Sequence, residues 1–296
     1  MVTIFTPTYN RKTELVKLAD SIEKQTDKDF EWIIIDDGST DGTEKWIGEY
    51  KKKSEIKISY YKQKNQGKHI AINCGIDKCS GEWFFCVDSD DTLTKNAIEN
   101  INAIAKEFND RLTVGMVFPK INNLGSKEKN WYRINGKFLD IMDLKEMYNI
   151  KESTIVIRQS ILKNYKFPQL YKKNGEPEKF MPEGYLYGRL TEVGKFYAIN
   201  KNIYIFEYQE NGLTNNVFSL WINNYNGVIL SLSQKYVLAR KYKLWQKILT
   251  QSKCIININS LCLKIKEDIF KYTPSKMMSL LLLFPSIIFM KLRFKL

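Results

Sequence analysis

The chain has 296 residues, 44% of them hydrophobic and 27% charged, which excludes disorder as its default state and leaves room for one large or two modest domains. Its formal net charge of +13 is uneven: Lys235–Leu296 holds 13 Lys and Arg against two acids, so residues 1–234 carry only +2. Five cysteines without a CxxC pair, and a start (Met1-Val2-Thr3-Ile4-Phe5) that lacks the form of a secretory signal, predict reduced thiols in a cytoplasmic protein.

In chain order, strand-like runs fall at Val2–Thr6, Glu31–Asp36, Ile56–Tyr61, Glu82–Val87 and Thr113–Phe118. Helical patterns separate them. Leu15, Leu18, Ala19 and Ile22 follow the i, i+3, i+4, i+7 rule, and Trp46, Ile47 and Tyr50 repeat it. This β-α alternation predicts an α/β fold with a mostly parallel sheet covered on both faces. Residues 119–150 lose the rhythm, Thr154–Ile157 and Phe196–Tyr208 read as further strands, and from about Val217 the pattern is helical. The expected domains are 1–215, an α/β domain, and 216–296, a basic amphipathic helical region.

Three predicted strands end in polar loops. The first, Thr6-Pro7-Thr8-Tyr9-Asn10-Arg11, has a proline that stiffens it and cations able to meet a phosphate, and it also suits an ordinary strand-to-helix turn. The second, Asp36-Asp37-Gly38-Ser39-Thr40-Asp41-Gly42-Thr43, pairs two acids at a strand end, where carboxylates accept hydrogen bonds from a base or ribose. The third, Asp88-Ser89-Asp90-Asp91, follows a buried-type run. Side chains alternate along an extended chain, so Asp88 and Asp90 would point the same way about 7 Å apart and invite a cation such as Mg²⁺ or Mn²⁺. A plainer alternative has Ser89–Thr92 capping a helix over Leu93–Phe108. His69 is the only histidine, which excludes a multi-histidine metal site.

The tail contains Met277–Met290, 14 uncharged residues between Lys276 and the cations Lys291, Arg293 and Lys295, interrupted by Pro285. It is short of the ~20 residues that span a bilayer and suits a helix lying in an anionic lipid interface, with a buried C-terminal helix as the alternative. No nucleic-acid reader motif accompanies the charge, so no nucleic-acid partner is expected.

TPTYNR (6–11), WIIIDDGSTDGT (32–43), NQGKHIAINCGI (65–76) and VDSDD (87–91) resemble, in order and spacing, the motifs of family 2 glycosyltransferases over roughly residues 1–215. GKHxAxN, followed by Pro182-Glu183-Gly184 and by Tyr208 and Asn211-Gly212-Leu213-Thr214, is similar to bacterial capsule and exopolysaccharide enzymes of that family. The resemblance implies a GT-A fold and inverting transfer from a UDP-sugar with Mn²⁺ or Mg²⁺. The acceptor it implies is a polyprenyl-diphosphate-linked saccharide at the inner face of the cell membrane.

By position, it implies that Thr6, Pro7, Tyr9 and Arg11 wall the nucleotide pocket. Asp36 or, preferably, Asp37 holds the uracil edge. Lys68 reaches the base or diphosphate, Asn73 fixes its helix, Asp88 binds ribose and Asp90 ligates the metal, with Asp91 supporting it or binding sugar hydroxyls. The acceptor base is expected within an acidic pair followed by an arginine. With Arg189 as the register mark, Glu183 takes the second acidic place and Pro182 replaces the first; Glu178 and Glu192 are the alternatives. Two other readings are a sugar-nucleotide nucleotidyltransferase, disfavoured by the glycine-free first loop, and a non-catalytic partner subunit, disfavoured by the retained acids.

Overall fold

A computed structural model of the chain describes residues 1–108, 113–207 and 217–294. The chain forms two compact units, Met1–Phe167 with Arg189–Tyr208, and Pro168–Gly188 with Gln209–Leu296. The boundary expected at 215–216 lies outside the described residues, as do Tyr208 and Asn211–Thr214 of the resemblance. Pro168–Gly188, expected in the first domain, goes with the second unit.

Among the described residues the first unit has ten strands: β1 (Val2–Thr8), β2 (Phe30–Asp36), β3 (Ile58–Lys62), β4 (Trp83–Cys86), β5 (Thr92–Leu93), β6 (Thr113–Ile121), β7 (Phe138–Leu139), β8 (Ser153–Arg158), β9 (Lys195–Ala198) and β10 (Tyr204–Ile205). Their order is β3-β2-β1-β4-β8-β6-β10-β5, with β9 beside β6 and β7 beside β9. β3, β2, β1 and β4 run parallel, and β8 is antiparallel to both β4 and β6. β6 therefore runs the same way as β4. Every residue of β1 and β2 is buried, which is why these strands read as near-continuous apolar runs.

Helices α1 (Lys12–Glu23), α2 (Thr43–Tyr50), α3 (Lys68–Lys78) and α4 (Ala97–Ala105) link the strands. α1 buries the predicted stripe Leu15, Leu18, Ala19 and Ile22. α3 approaches β1 closely at Gly75, where a Cβ would stand 2.3 Å from the Phe5 ring, so any larger residue would push helix and strand apart.

Two boundaries differ from expectation. Helix α4 begins at Ala97 rather than Leu93, because Thr92–Leu93 pairs antiparallel with β10. The strand expected over 196–208 is two short ones, β9 and β10.

Strand order creates a crevice. β1 pairs with β4 only from Val2 to Phe5, and with β2 as far as Thr8 opposite Asp36. Past Val87, whose N–H still donates to Phe5 O (2.8 Å), β1 and β4 no longer pair; the strand order reverses between them, and open α/β sheets bind ligands at such points.

In the second unit, helices Tyr225–Leu238 and Leu244–Ile265 pack around Val228, Ile229, Ile258, Leu261, Cys262 and Phe294. Pro168–Gly188 is fastened to them by Glu178 and Asn224. The buried Glu178 carboxylate accepts from Asn226 N (3.0 Å) and Gly227 N (2.8 Å), two free amides of the first helical turn. Asn224 Oδ1 accepts from Lys179 N at 2.8 Å. Among the described residues no helix is long and apolar enough to cross a membrane. No disulfide joins any of the five cysteines.

Candidate active site

The crevice is edged by the loops that follow β1, β2 and β4. The first two are laced together. Asn10, in a left-handed conformation (φ 50°), donates its N–H to Ser39 Oγ (2.8 Å), and its Oδ1 accepts from Thr40 N (2.8 Å). Lys12 N donates to Asp41 Oδ2 at 2.9 Å. Thr6 lies in the core, accepting from Trp32 Nε1 at 3.0 Å, and Pro7 is also buried. Of the four expected wall residues, Tyr9 and Arg11 reach solvent.

The Asp36-Asp37 pair is occupied within the protein. Asp36 accepts from Ser39 N (2.7 Å) and Tyr60 OH (2.6 Å). Asp37 accepts from Gln63 Nε2 (2.8 Å), Gln66 N (2.9 Å) and Gly67 N (2.7 Å). A carboxylate has about four acceptor directions, so three of those of Asp37 are spent on the turn leading into α3. That turn needs Gly67 at φ 92°, a conformation costly for residues with a Cβ. Its geometry sets Lys68 as the first residue of α3.

Lys68 Nζ then meets Asp88 Oδ1 at 2.6 Å. The alternation argument for Asp88 and Asp90 ends with β4 at Cys86: Asp91 N donates to Asp88 O (3.1 Å), and Asp88–Asp91 is a turn. Each acid of that turn has its own cation. Arg11 Nη1 lies 2.9 Å from Asp90 Oδ2. Lys120 Nζ lies 3.4 Å from Asp91 Oδ2 and 3.9 Å from Asp88 Oδ2. The cap reading of Ser89–Thr92 is also excluded, since α4 starts at Ala97.

Burial opposes ionisation of Asp88, and Lys68, Lys120 and Arg11 overcome it, holding its carboxyl below the usual range. Asp91 is buried and is pushed up, by burial first and by the Asp88 charge. Its Oδ2 accepts from Tyr204 OH (2.6 Å) and its Oδ1 from Glu207 N (3.1 Å), so both oxygens are engaged in anchoring the turn. The Tyr204 oxygen in turn accepts from Asp88 N at 3.1 Å.

Sequence reasoning missed Lys120 and Tyr204. They are register partners on β6 and β10, brought to this edge because β6 runs with β4. The one local signal was a lysine closing the otherwise apolar run Thr113–Ile121.

Asn73 behaves as expected of a helix anchor, exchanging two hydrogen bonds with the Phe167 backbone (2.8 and 2.9 Å). His69 is buried edge-on to Phe167, and burial pushes it down to about 4, so it stands as a neutral core residue. Glu183 belongs to the second unit. Its carbonyl accepts the first bonds of helix Gly184–Leu190, and Tyr187 OH donates to its Oε2 at 3.0 Å. Glu178 is consumed by its helix-capping bonds, and Glu192 is exposed.

Among the described residues, no three His, Cys, Asp or Glu side chains gather into a metal cluster. The acids Asp88, Asp90 and Asp91 are balanced by Lys68, Lys120 and Arg11. A diphosphate entering this neutral corner therefore brings uncompensated charge, and Asp90, a quarter exposed, offers a hard oxygen to a divalent ion. The donor set fits Mg²⁺ or Mn²⁺ held by one carboxylate together with phosphate oxygens.

The family model for glycosyl transferase family 2 matches residues 3–166. The chain belongs to that family. Among curated relatives of this family 2 chain is the GalNAc(5)-diNAcBac-PP-undecaprenol beta-1,3-glucosyltransferase of Campylobacter jejuni, 31% identical over 181 residues, covering 58% of this chain and 56% of the relative. Four other curated relatives are matched over only 18% to 32% of their length. Solved structures show the GT-A fold. TarS 1–349 of Staphylococcus aureus in complex with UDP-GlcNAc superposes at TM-score 0.57 with 18% identity, covering 88% of this chain and 83% of that one. The mannosyltransferase PcManGT of Pyrobaculum calidifontis, in complex with GDP-Man and Mn²⁺, gives 0.54 with 13% identity, covering 97% and 79%.

Proposed function

We propose that this family 2 chain is an inverting, metal-dependent glycosyltransferase that moves a sugar from a UDP-sugar onto a lipid-linked saccharide in bacterial surface polysaccharide synthesis. The observation that carries this reading is the meeting of Arg11, Lys68, Asp88 and Asp90 at the crevice between β1 and β4. Two comparisons support its finer parts. The TarS structure holds a UDP-sugar, and the Campylobacter relative is named for a PP-undecaprenol-linked saccharide.

In this reading Tyr9 and Arg11 flank the nucleotide, and Asp88 takes the ribose. Asp36 and Asp37 shape the base pocket mainly through the turns they fix, with the remaining acceptor direction of Asp37 toward the uracil edge. Lys68 exchanges Asp88 for a diphosphate oxygen, and Asp90 is the protein ligand of Mn²⁺ or Mg²⁺. The metal, when bound, supplies positive charge against the departing UDP.

Inversion needs a base on the acceptor side. Glu183 takes the proton of the acceptor hydroxyl as its oxygen bonds to the anomeric carbon and the bond from that carbon to the UDP oxygen breaks. The assignment rests on the family register Pro182-Glu183 followed by Arg189. The basic second unit suits an anionic membrane, so the enzyme would act at the inner face of the cell membrane, beside a polyprenyl-diphosphate acceptor.

The test is turnover of a panel of UDP-sugars with Mn²⁺. Release of UDP from at least one, abolished by Asp90→Ala, is expected; no turnover of any of them would overturn the reading.

A further inference from the structure

Helices Lys276–Leu281 and Leu283–Arg293 fully bury small polar residues and leave most of their large apolar side chains outside. Their only buried residues are Ser279 and Ser286. The seam behind these serines carries polar contacts, flanked by the partly buried Met278, Leu282 and Met290. Asn259 Nδ2 donates to Ser279 O (3.0 Å), Ser260 Oγ donates to Ser286 O (2.8 Å), and Asn259 and Ser260 are themselves buried. Met277, Leu280, Leu281, Phe284, Ile288 and Leu292 point outward, with Leu281 and Phe284 each 73% exposed. Positions 277, 281, 284 and 288 step by four, three and four, which makes one continuous stripe if the helical path is carried through Leu282.

A helix in water buries its apolar stripe and exposes its polar one, because apolar burial is the larger gain. The reverse arrangement, small polar residues between helices and large apolar ones outside, is the pattern of helices packed in lipid. Cations border the stripe, Lys276 at one end and Lys291 and Arg293 at the other, all exposed. A second face of the same chemistry stands at the start of helix Leu244–Ile265. There Leu244 and Trp245 are 71% and 82% exposed, with Arg240, Lys241 and Lys243 exposed just before them. Two separate apolar faces, both bordered by lysines and arginines, match an anionic bilayer, whose surface is continuous and negatively charged.

We infer that the stripe Met277–Leu292 is embedded in the acyl region of an anionic bilayer, lying in the interface and not crossing it. This deepens the membrane placement proposed above, from attraction by charge to insertion of named side chains. Insertion and charge attraction differ in salt response, since ionic screening weakens only the second.

The experiment uses the full chain with vesicles of phosphatidylcholine, with and without phosphatidylglycerol, in flotation at low and high salt. The wild type is expected to float with the phosphatidylglycerol vesicles and to stay bound at high salt. Leu281→Ser with Phe284→Ser is expected to weaken binding by on the order of tenfold for each residue. Both positions are exposed, so the variant's melting temperature and its protection by UDP should match the wild type. Flotation of the double variant equal to the wild type would overturn the inference, as would release of the wild type by salt alone. So would a wild-type dimer in solution that the two substitutions convert to monomer, since a second copy would then cover the stripe. None of these readouts uses sugar transfer, so vesicle binding by a chain that turns over no UDP-sugar would sink the proposed function and leave this inference standing.

Discussion

Arg11 Nη1 stands 2.9 Å from Asp90 Oδ2, joining the loop after β1 to the turn after β4 across 79 residues of sequence. Both side chains are more than a fifth exposed, and exposed pairs of this kind contribute about 0–1 kcal/mol. The pair is thus a poor reason for stability and a good place for a ligand exchange. Asp90→Asn is expected to change the melting temperature little and to lower kcat/KM for a UDP-sugar by about a hundredfold or more. Parallel circular dichroism and turnover assays check both halves.

Tyr204 holds the same turn from behind. Its hydroxyl gives Asp91 one of three hydrogen bonds, beside those from Glu207 N and Lys120 Nζ, and receives Asp88 N–H. Tyr204→Phe keeps the ring under Lys120 and removes only the oxygen, leaving a buried carboxylate short of a donor. The expected cost is about 1–3 kcal/mol in chemical denaturation of the first unit. An unchanged midpoint would show that the turn does not depend on this bond.

His69 gives the chain an acid sensitivity with a defined window. Burial depresses it to about 4 in the fold, against an ordinary value near 6.5. The unfolded chain therefore binds a proton that the folded chain refuses. Stability is undiminished above pH 6.5 and is lost as pH falls toward 4, by on the order of 3 kcal/mol. His69→Leu should flatten that part of the stability profile. Denaturation midpoints at several pH values between 6.5 and 4 measure it, and an equally steep loss in the variant would contradict the assignment.

Glu178 and Glu183 lie five residues apart and are expected to separate cleanly. Glu178→Ala removes both acceptors of the Asn226 and Gly227 amides, so the second unit should lose about 1–3 kcal/mol. Glu183→Gln preserves shape and should leave folding and UDP binding intact while lowering transfer by about 10²–10⁴. Single-turnover rates beside UDP titrations distinguish a base from a cap.

Much of this was legible in the sequence because it is local. Buried parallel strands are continuous apolar runs, so β1, β2, β4 and β6 announced themselves, and the acids at their ends marked the ligand edge. What escaped depended on long-range pairing. Lys120 and Tyr204 meet the acids only because β8 is antiparallel between β4 and β6 and because β10 pairs with the end of β6. The Asp88–Asp91 turn was misread for a related reason: alternation along a strand predicts spacing only while the strand lasts, and it stops at Cys86. Pro168–Gly188 groups with the second unit because Glu178 accepts from backbone amides of a helix more than 40 residues away, a pairing no local pattern reveals.

The central claim is that the Arg11–Lys68–Asp88–Asp90 corner binds a nucleoside diphosphate together with a divalent ion. Calorimetric titration of UDP into the full chain, with and without Mn²⁺, tests it most directly. The account predicts tighter UDP binding with Mn²⁺ in the wild type, and loss of that enhancement in Asp90→Asn. Equal UDP affinity with and without Mn²⁺, or an undiminished Mn²⁺ effect in Asp90→Asn, would contradict it.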